Sequence, residues 1–169
     1  MAVAALFLAV PALSSCGVNF DAQTDQYYTP TDGENSREGA VEVLHALIIS
    51  EEPGTGRLIA ALVNSNTEED DALTGVRGLE EDEALTFSLK LGETAIPSGG
   101  VLQMADEGSA VVAVSGDPEL LAAGGYVRLA FSFESGEEAE LNVPVLAPGE
   151  DYADIEIPED PAPGSGTEG

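Results

Sequence analysis

The chain has 169 residues, with 32 acidic side chains against five basic ones and a formal net charge of −27. Nucleic-acid binding depends on basic groups that displace counterions from phosphates, so this charge argues against nucleic acid as a partner. The same charge does not attract anionic lipid headgroups. Apolar residues reach 43%, aromatic residues only 5%, and tryptophan is absent. These values predict one small domain with a thin aliphatic core.

An uncharged apolar run opens the chain. Residues 1–13 read MAVAALFLAVPAL, which has the length of the apolar part of a secretory signal and is too short to span a bilayer. Residues 13–17, LSSCG, resemble the lipobox of bacterial lipoproteins. The resemblance implies a signal peptide over residues 1–15, cleavage before Cys16, and a diacylglyceryl group on the Cys16 sulfur. The absence of Lys and Arg before the apolar run is a departure from that pattern.

Cys16 is the only cysteine of the chain, so an intramolecular disulfide is impossible even in an exported compartment. Lipidation explains a single cysteine at this position and predicts a protein anchored on the outer face of the cytoplasmic membrane. The alternative is that residues 1–16 form a buried helix, with Cys16 as a small core residue.

Two segments lack the periodicity of a packed element. Residues 16–40 are rich in Asn, Asp, Gln, Thr and Gly, which predicts a flexible tether below the domain. Phe20, Tyr27 and Tyr28 are either spacers in this tether or contacts with the domain edge. Residues 147–169 are rich in Pro, Gly and acids, which predicts a disordered tail. Its Ile155 and Ile157 could pair transiently with a sheet edge.

Between residues 41 and 146, apolar and polar residues alternate as in half-buried strands. A hairpin is predicted first, with strands over residues 41–49 and 57–64 and a turn over residues 51–56. The predicted face of its first strand carries Val41, Val43, His45, Leu47 and Ile49.

Shorter strands are predicted over residues 84–91, 100–104 and 109–114, and one helical turn over residues 117–121, with Asp117 as its cap. A second hairpin closes the domain, with strands over residues 127–134 and 138–145. About seven short strands predict an all-β fold, a small antiparallel β-sandwich of cupredoxin-like or immunoglobulin-like type.

Three stretches resemble the PCu(A)C family of periplasmic copper chaperones and the LpqE-like actinobacterial lipoproteins. They are ALVN with DDALTGV (residues 61–64 and 70–76), IPSGGV (residues 96–101), and LAAGGYVRLAFSF with NVPV (residues 121–133 and 142–145). Taken in order they extend over about two-thirds of the chain. The resemblance implies a cupredoxin-like or immunoglobulin-like sandwich.

Family members hold Cu(I) through Met sulfur and His nitrogen, which suit that ion, and their ligands include a His-x-Met pair after a Gly-rich turn. At the matching place residues 108–114 read GSAVVAV, and the strand expected to bring the first ligand His reads LTFS at residues 85–88. The resemblance therefore implies the fold without its metal ligands. His45 and Met104 remain as candidate copper ligands, with ordinary packing as the alternative for both.

Other chemistry has little support. His45, the only histidine, lacks a Gly-x-Ser-x-Gly elbow, and the acidic runs at residues 68–71 and 80–83 fit solvated loops better than an ordered calcium loop. The leading hypothesis is a non-catalytic cell-envelope lipoprotein without a cofactor. It would reach the membrane through lipid on Cys16 and bind an unidentified envelope protein or small ligand. Weak copper handling through His45 and Met104 is the alternative, and a carboxylate-based hydrolase is a third.

Overall fold

The computed structural model describes residues 32–90, 92–109 and 111–158. The predicted signal peptide, Cys16, most of the predicted tether and residues 159–169 lie outside them. The described chain holds ten β-strands and two short 3-10 turns, at Glu80–Ala84 and Glu150–Tyr152. The strands are β1 (Glu34–Ser36), β2 (Val41–Ile49), β3 (Thr55–Asn64), β4 (Asp71–Gly78), β5 (Thr86–Lys90), β6 (Ala95–Ile96), β7 (Val101–Gln103), β8 (Val111–Ser115), β9 (Tyr126–Phe133) and β10 (Glu138–Leu146).

These strands form one curled sheet in the order β5-β8-β3-β2-β10-β9-β4-β6, with β1 added to β2 and β7 to β3. The predicted β2–β3 and β9–β10 hairpins are both present. β10 and β2 run parallel, through Val145 beside Ile48 and Leu146 beside Ile49. The all-β, cupredoxin-like prediction is therefore confirmed, as a mixed sheet of ten described strands rather than an antiparallel sandwich of seven.

An aliphatic core fills the inside of the curl, as the composition predicts. The alternation that predicts β9 and β10 is the one observed, because Val127, Leu129 and Phe131 are buried while Arg128 is exposed. The predicted turn at Asp117 is also present. The Asp117 carbonyl accepts the Leu121 N–H at 3.0 Å, its carboxylate accepts the Glu119 N–H at 2.8 Å, and Leu121 is fully buried.

A β-bulge interrupts β2 and corrects the predicted face of this strand. Leu44 pairs with Ala61 and Leu47 with Ile59, so β2 contains one residue more than β3 between these pairs. His45 takes a φ of 54°, a left-handed conformation that histidine adopts more often than most residues. Because side chains alternate with a period of two, one extra residue exchanges the two faces of the strand.

The faces of β2 are accordingly split at the bulge. Val41 and Val43 lie in the main core before it, and Ala46 and Ile48 lie there after it. Leu47 and Ile49, which were predicted to share a face with Val41, instead form a second apolar cluster with Ile59 of β3. The prediction of one continuous stripe that includes His45 is wrong for this reason.

The chain after β10 packs on this second cluster. Residues 147–158, here called the strap, leave the end of β10 and cross the outer face of β2 and β3. Three half-buried side chains of the strap, Tyr152, Ile155 and Ile157, pack against the cluster of Leu47, Ile49 and Ile59. This part of the predicted disordered tail is thus packed, because its apolar side chains meet an apolar sheet face. In the same way the end of the predicted tether forms β1 on β2.

Two buried carboxylates hold loops against the sheet. The Asp71 carboxylate accepts N–H groups from Ala72 at 2.7 Å and Ser135 at 3.1 Å, joining the start of β4 to the β9–β10 turn. Burial raises the pKa of Asp71, but these hydrogen bonds outweigh it and the net shift is downward. The Asp82 carboxylate accepts the Arg128 N–H at 2.8 Å and holds the 3-10 turn on β9.

Gly78 allows this turn to approach β4. A Cβ at Gly78 would overlap the Asp82 carbonyl oxygen, whereas a Cβ at Gly75 of the same strand meets no atom within 4 Å. We expect Gly78→Ala to lower the free energy of unfolding by about 1–3 kcal/mol and Gly75→Ala to change it by less than about 1 kcal/mol. Urea unfolding of both variants measures the difference, and equal effects would contradict the packing described.

Candidate functional site

The resemblance to copper chaperones directs attention to β5 and β8. These strands pair antiparallel, with Phe87 opposite Val114 and Ser88 opposite Ala113, so the two stretches that would carry the ligands lie side by side. Val112 and Val114 are almost fully buried in the main core, and the half-buried Phe87 packs against it. The place is occupied by aliphatic and aromatic packing, with no sulfur or imidazole on residues 85–88 or 108–114.

His45 lies on the strap side of the sheet. Its N–H donates to the Asn35 side-chain oxygen at 2.8 Å, so β1 fixes the bulge. Its Nε2 lies 3.1 Å from the Tyr152 hydroxyl, and the two rings are 6.4 Å apart at 28°. The Tyr152 hydroxyl also donates to the Asp32 carboxylate at 3.5 Å. Residues from both ends of the described chain therefore meet at His45.

Met104 lies in the main core and is fully buried. Its backbone N–H donates to the Ala60 carbonyl at 3.0 Å, which continues the pairing of β7 with β3. The sequence analysis combined His45 and Met104 as candidate copper ligands, but the structure does not bring them together. One contacts Tyr152 beside the second cluster, and the other packs in the main core.

Arg57 is a site residue that sequence reasoning missed. It lies opposite Ile49, is only 7% exposed, and sits beneath the strap. Its guanidinium donates to the Met104 carbonyl at 3.0 Å and to the Glu156 carbonyl of the strap at 3.2 Å. Its Nε is buried without a hydrogen-bond partner. Burial lowers the pKa of Arg57 and the nearby Glu156 carboxylate raises it, with a net shift downward.

A signal for Arg57 does exist in the sequence. It is the only charged residue of β3, whose residues read TGRLIAALVN. An arginine within an apolar strand needs buried acceptors for its N–H groups, because burying an unpaired charge is costly. Tyr152, Ile155 and Ile157 had a weaker signal, an apolar spacing inside an otherwise acidic segment.

A groove of about 510 Å³ opens between β4 and β5. Val76, Leu85 and Phe87 form its apolar wall, and Arg77 and Glu83 are its charged lining residues. The Arg77 guanidinium is 3.0 Å from the Glu138 carboxylate, in an exposed ion pair. The groove is open to solvent and presents neither paired carboxylates nor a nucleophile beside a base, so its geometry offers no evident catalytic arrangement.

The described residues contain no evident site for a metal ion and no helix that could span a membrane. Among residues 32–90, 92–109 and 111–158, no three His, Cys, Asp or Glu side chains are grouped so that they could hold a metal ion. No helix in the described part of the chain has the length and hydropathy to cross a membrane.

The fold is all-β and cupredoxin-like, and known structures share it. No protein-family model and no curated protein sequence matches the chain. Among solved structures it is similar to the apo PCuAC domain from PmoF1, with a TM-score of 0.55 and 17% identity. It is also similar to the PCuAC domain from PmoF2, copper-bound (TM-score 0.52, 21% identity) and apo (0.50, 22%).

Each of these similarities covers 68% of this chain and between 96% and 100% of the neighbouring domain. At such identities the likeness establishes the fold, which is PCuAC-like. The family resemblance inferred from short sequence motifs is thus supported at the level of the domain fold.

Tyr152 provides a test of the contacts around His45. Burial raises the pKa of the Tyr152 hydroxyl, and the charges of Asp32 and Asp151 raise it further. A raised pKa stabilises the docked strap at every pH below the unfolded-state value near 10, and this stabilisation is lost as the pH rises through the folded-state value. We expect alkaline titration of tyrosine absorbance to show one late component that Tyr152→Phe removes.

The matched control is Tyr126→Phe, which removes an exposed tyrosine of β9 and leaves the late component in place. A late component that survives in the Tyr152→Phe variant would contradict the assignment.

Proposed function

We propose that this protein is a non-catalytic, lipid-anchored module of the bacterial cell envelope, whose PCuAC-like domain binds a partner without carrying copper. The observation that carries the proposal is the packing at β5 and β8. Val112 and Val114 are buried there and Phe87 packs on the core. Cu(I) needs soft sulfur or imidazole ligands, and these side chains provide none.

A non-catalytic role is supported by the absence of a suitable arrangement in the described residues. The single histidine contacts Tyr152 rather than a nucleophile, and the groove between β4 and β5 lacks a paired acid and base. A fold alone does not specify an activity, so the proposal depends on the residues present.

The location outside the cytoplasmic membrane is proposed from the sequence. Residues 1–15 have the features of a secretory signal apart from the missing basic residues, and Cys16 follows a lipobox-like LSS. Two acyl chains on one cysteine are sufficient for stable anchoring.

Copper handling through His45 and Met104 is the less favoured function. The two side chains have different surroundings, one at Tyr152 and one in the main core, so a shared ion would require the sheet to be unpacked. A single imidazole with one buried thioether is also too few ligands for a tight Cu(I) site.

Titration with Cu(I) against a competing chelator distinguishes these two functions. We expect no stoichiometric submicromolar binding by this protein, while the PCuAC domain from PmoF2 serves as the copper-binding control. Stoichiometric binding that disappears in both His45→Ala and Met104→Leu would establish the copper-handling alternative instead.

Metabolic labelling with a clickable fatty acid tests the anchor. We expect the full-length protein to incorporate the label and to sediment with membranes, and Cys16→Ala to abolish both, since the chain has no other cysteine. Ser15→Ala keeps a small residue at the cleavage position and should be labelled normally. An unlabelled wild-type protein that retains residues 1–15 would contradict the proposed anchoring.

A further inference from the structure

The strap is held to the sheet by few interactions. No residue of the described strap belongs to a strand, and the N–H groups of Tyr152 and Ile155 donate to carbonyls within the strap itself, Gly149 and Tyr152. Within residues 32–90, 92–109 and 111–158, its polar contacts are those of Tyr152 with His45 and Asp32 and of the Glu156 carbonyl with Arg57. Segments with so few contacts open locally without global unfolding.

The face beneath the strap is apolar. Leu47, Ile49 and Ile59 are at most 4% exposed, and Tyr152, Ile155 and Ile157 of the strap pack on them. Arg57 adjoins them, buried, with one N–H group bound to the strap and its Nε without a partner. The face therefore combines a hydrophobic patch with a donor that binds a peptide carbonyl, the two elements by which a surface holds an extended peptide.

The strap itself shows which peptide fits. Two aliphatic residues in alternate positions, Ile155 and Ile157, contact the patch, and the carbonyl between them accepts from Arg57. Its charge is poorly matched to its surroundings. Asp151 of the strap and Asp32 both lie near the Tyr152 hydroxyl, and the whole chain carries a net charge of −27. An acidic segment on an acidic domain is held less tightly than a neutral or basic one.

We propose that the outer face of β2 and β3 is a peptide-binding surface whose occupant in cis is the strap. In trans its ligand is an extended segment of another envelope protein, with aliphatic residues at positions i and i+2 and less negative charge than the strap. This inference rests on the proposed binding function and gives that function a surface and a ligand class. The strap then acts as a built-in competitor that sets the threshold for partner binding.

Two labelled peptides test this proposal. One has the strap sequence APGEDYADIEIP, and the other carries Lys at the positions of Glu150, Asp151 and Asp154 while keeping Glu156 near Arg57. The receptors are the wild-type chain and the Ile155→Asp/Ile157→Asp variant, whose strap is released from the apolar patch. Fluorescence anisotropy measures the binding.

We expect the strap peptide to bind the released variant at least about tenfold more tightly than the wild type, because a tethered competitor acts at millimolar effective concentration. The Lys peptide should bind the released variant several-fold more tightly than the strap peptide at low salt, and the difference should shrink at high salt. Adding Arg57→Met to the released variant should weaken both peptides.

The control uses a residue of a strand outside the proposed surface. Arg77→Met removes an exposed arginine of β4 and should not alter peptide binding. Far-UV circular dichroism and amide protection in β2 and β3 establish that each receptor is folded before its affinity is compared.

Three outcomes would overturn the inference. The first is a folded released variant that binds neither peptide. The second is binding that is unchanged by Arg57→Met. The third is a concentration-dependent wild-type dimer formed by exchange of straps, which would assign the face to a second copy. Each outcome leaves the copper and lipidation results unaffected, so failure of this inference is distinguishable from failure of the proposed function.

Discussion

The extra residue in β2 at His45 determines how the rest of this molecule is organised. In a regular alternation of β2, Val41, Val43, Leu47 and Ile49 would share one face, and Leu44, Ala46 and Ile48 would share the other. The bulge at Leu44–Leu47 instead places Ala46 and Ile48 in the main core with Val41 and Val43, and leaves Leu47 and Ile49 in an outer patch. The left-handed φ of His45 is a modest backbone strain, which the hydrogen bond from its N–H to Asn35 helps to offset.

Once the outer patch exists, water must be kept from it. Leu47, Ile49 and Ile59 would form an exposed apolar surface on a strongly charged protein, and such surfaces favour association. The strap covers them at low conformational cost because it follows directly from β10, whose last residues pair with β2 beside the patch. Arg57 also joins the strap to the sheet, since its guanidinium donates to the Met104 carbonyl, next to β7, and to the Glu156 carbonyl of the strap. The desolvation of this cation offsets part of the stabilisation that its hydrogen bonds provide.

Much of the fold could be predicted from local patterns. The β9–β10 hairpin was predictable because large apolar residues alternate with small or polar ones from Val127 to Phe133. The turn at Asp117 was predictable because a capping Asp117 is followed directly by Pro118. β4 was missed as a strand because Gly75 and Gly78 and the polar residues between them weaken its alternation, and its pairing with β9 is a tertiary effect. The β2 bulge was missed because an inserted residue leaves the apolar composition unchanged while it reverses the faces.

The candidate site was less predictable than the fold. His45 was singled out for its chemistry, but its neighbours come from the two ends of the described chain, and no local pattern places Asp32 or Tyr152 beside it. The role of Arg57 could not be predicted without knowing that the strap covers its face of β3. The apolar content of β5 and β8, in contrast, was readable at once, because the absence of sulfur and imidazole is a property of the residues themselves.

Two places in this PCuAC-like fold differ in the side chains that they present. At β5 and β8, Val112 and Val114 are buried in the core and Phe87 packs against it, which stabilises the sheet. At β2 and β3, the bulge creates an apolar face with an arginine that the rest of the core does not need. The strap buries this face, so packing accounts for its apolar residues. Packing does not require a buried cation whose Nε has no partner and whose other N–H groups bind backbone carbonyls, and this is the feature that the proposed exchange of the strap explains.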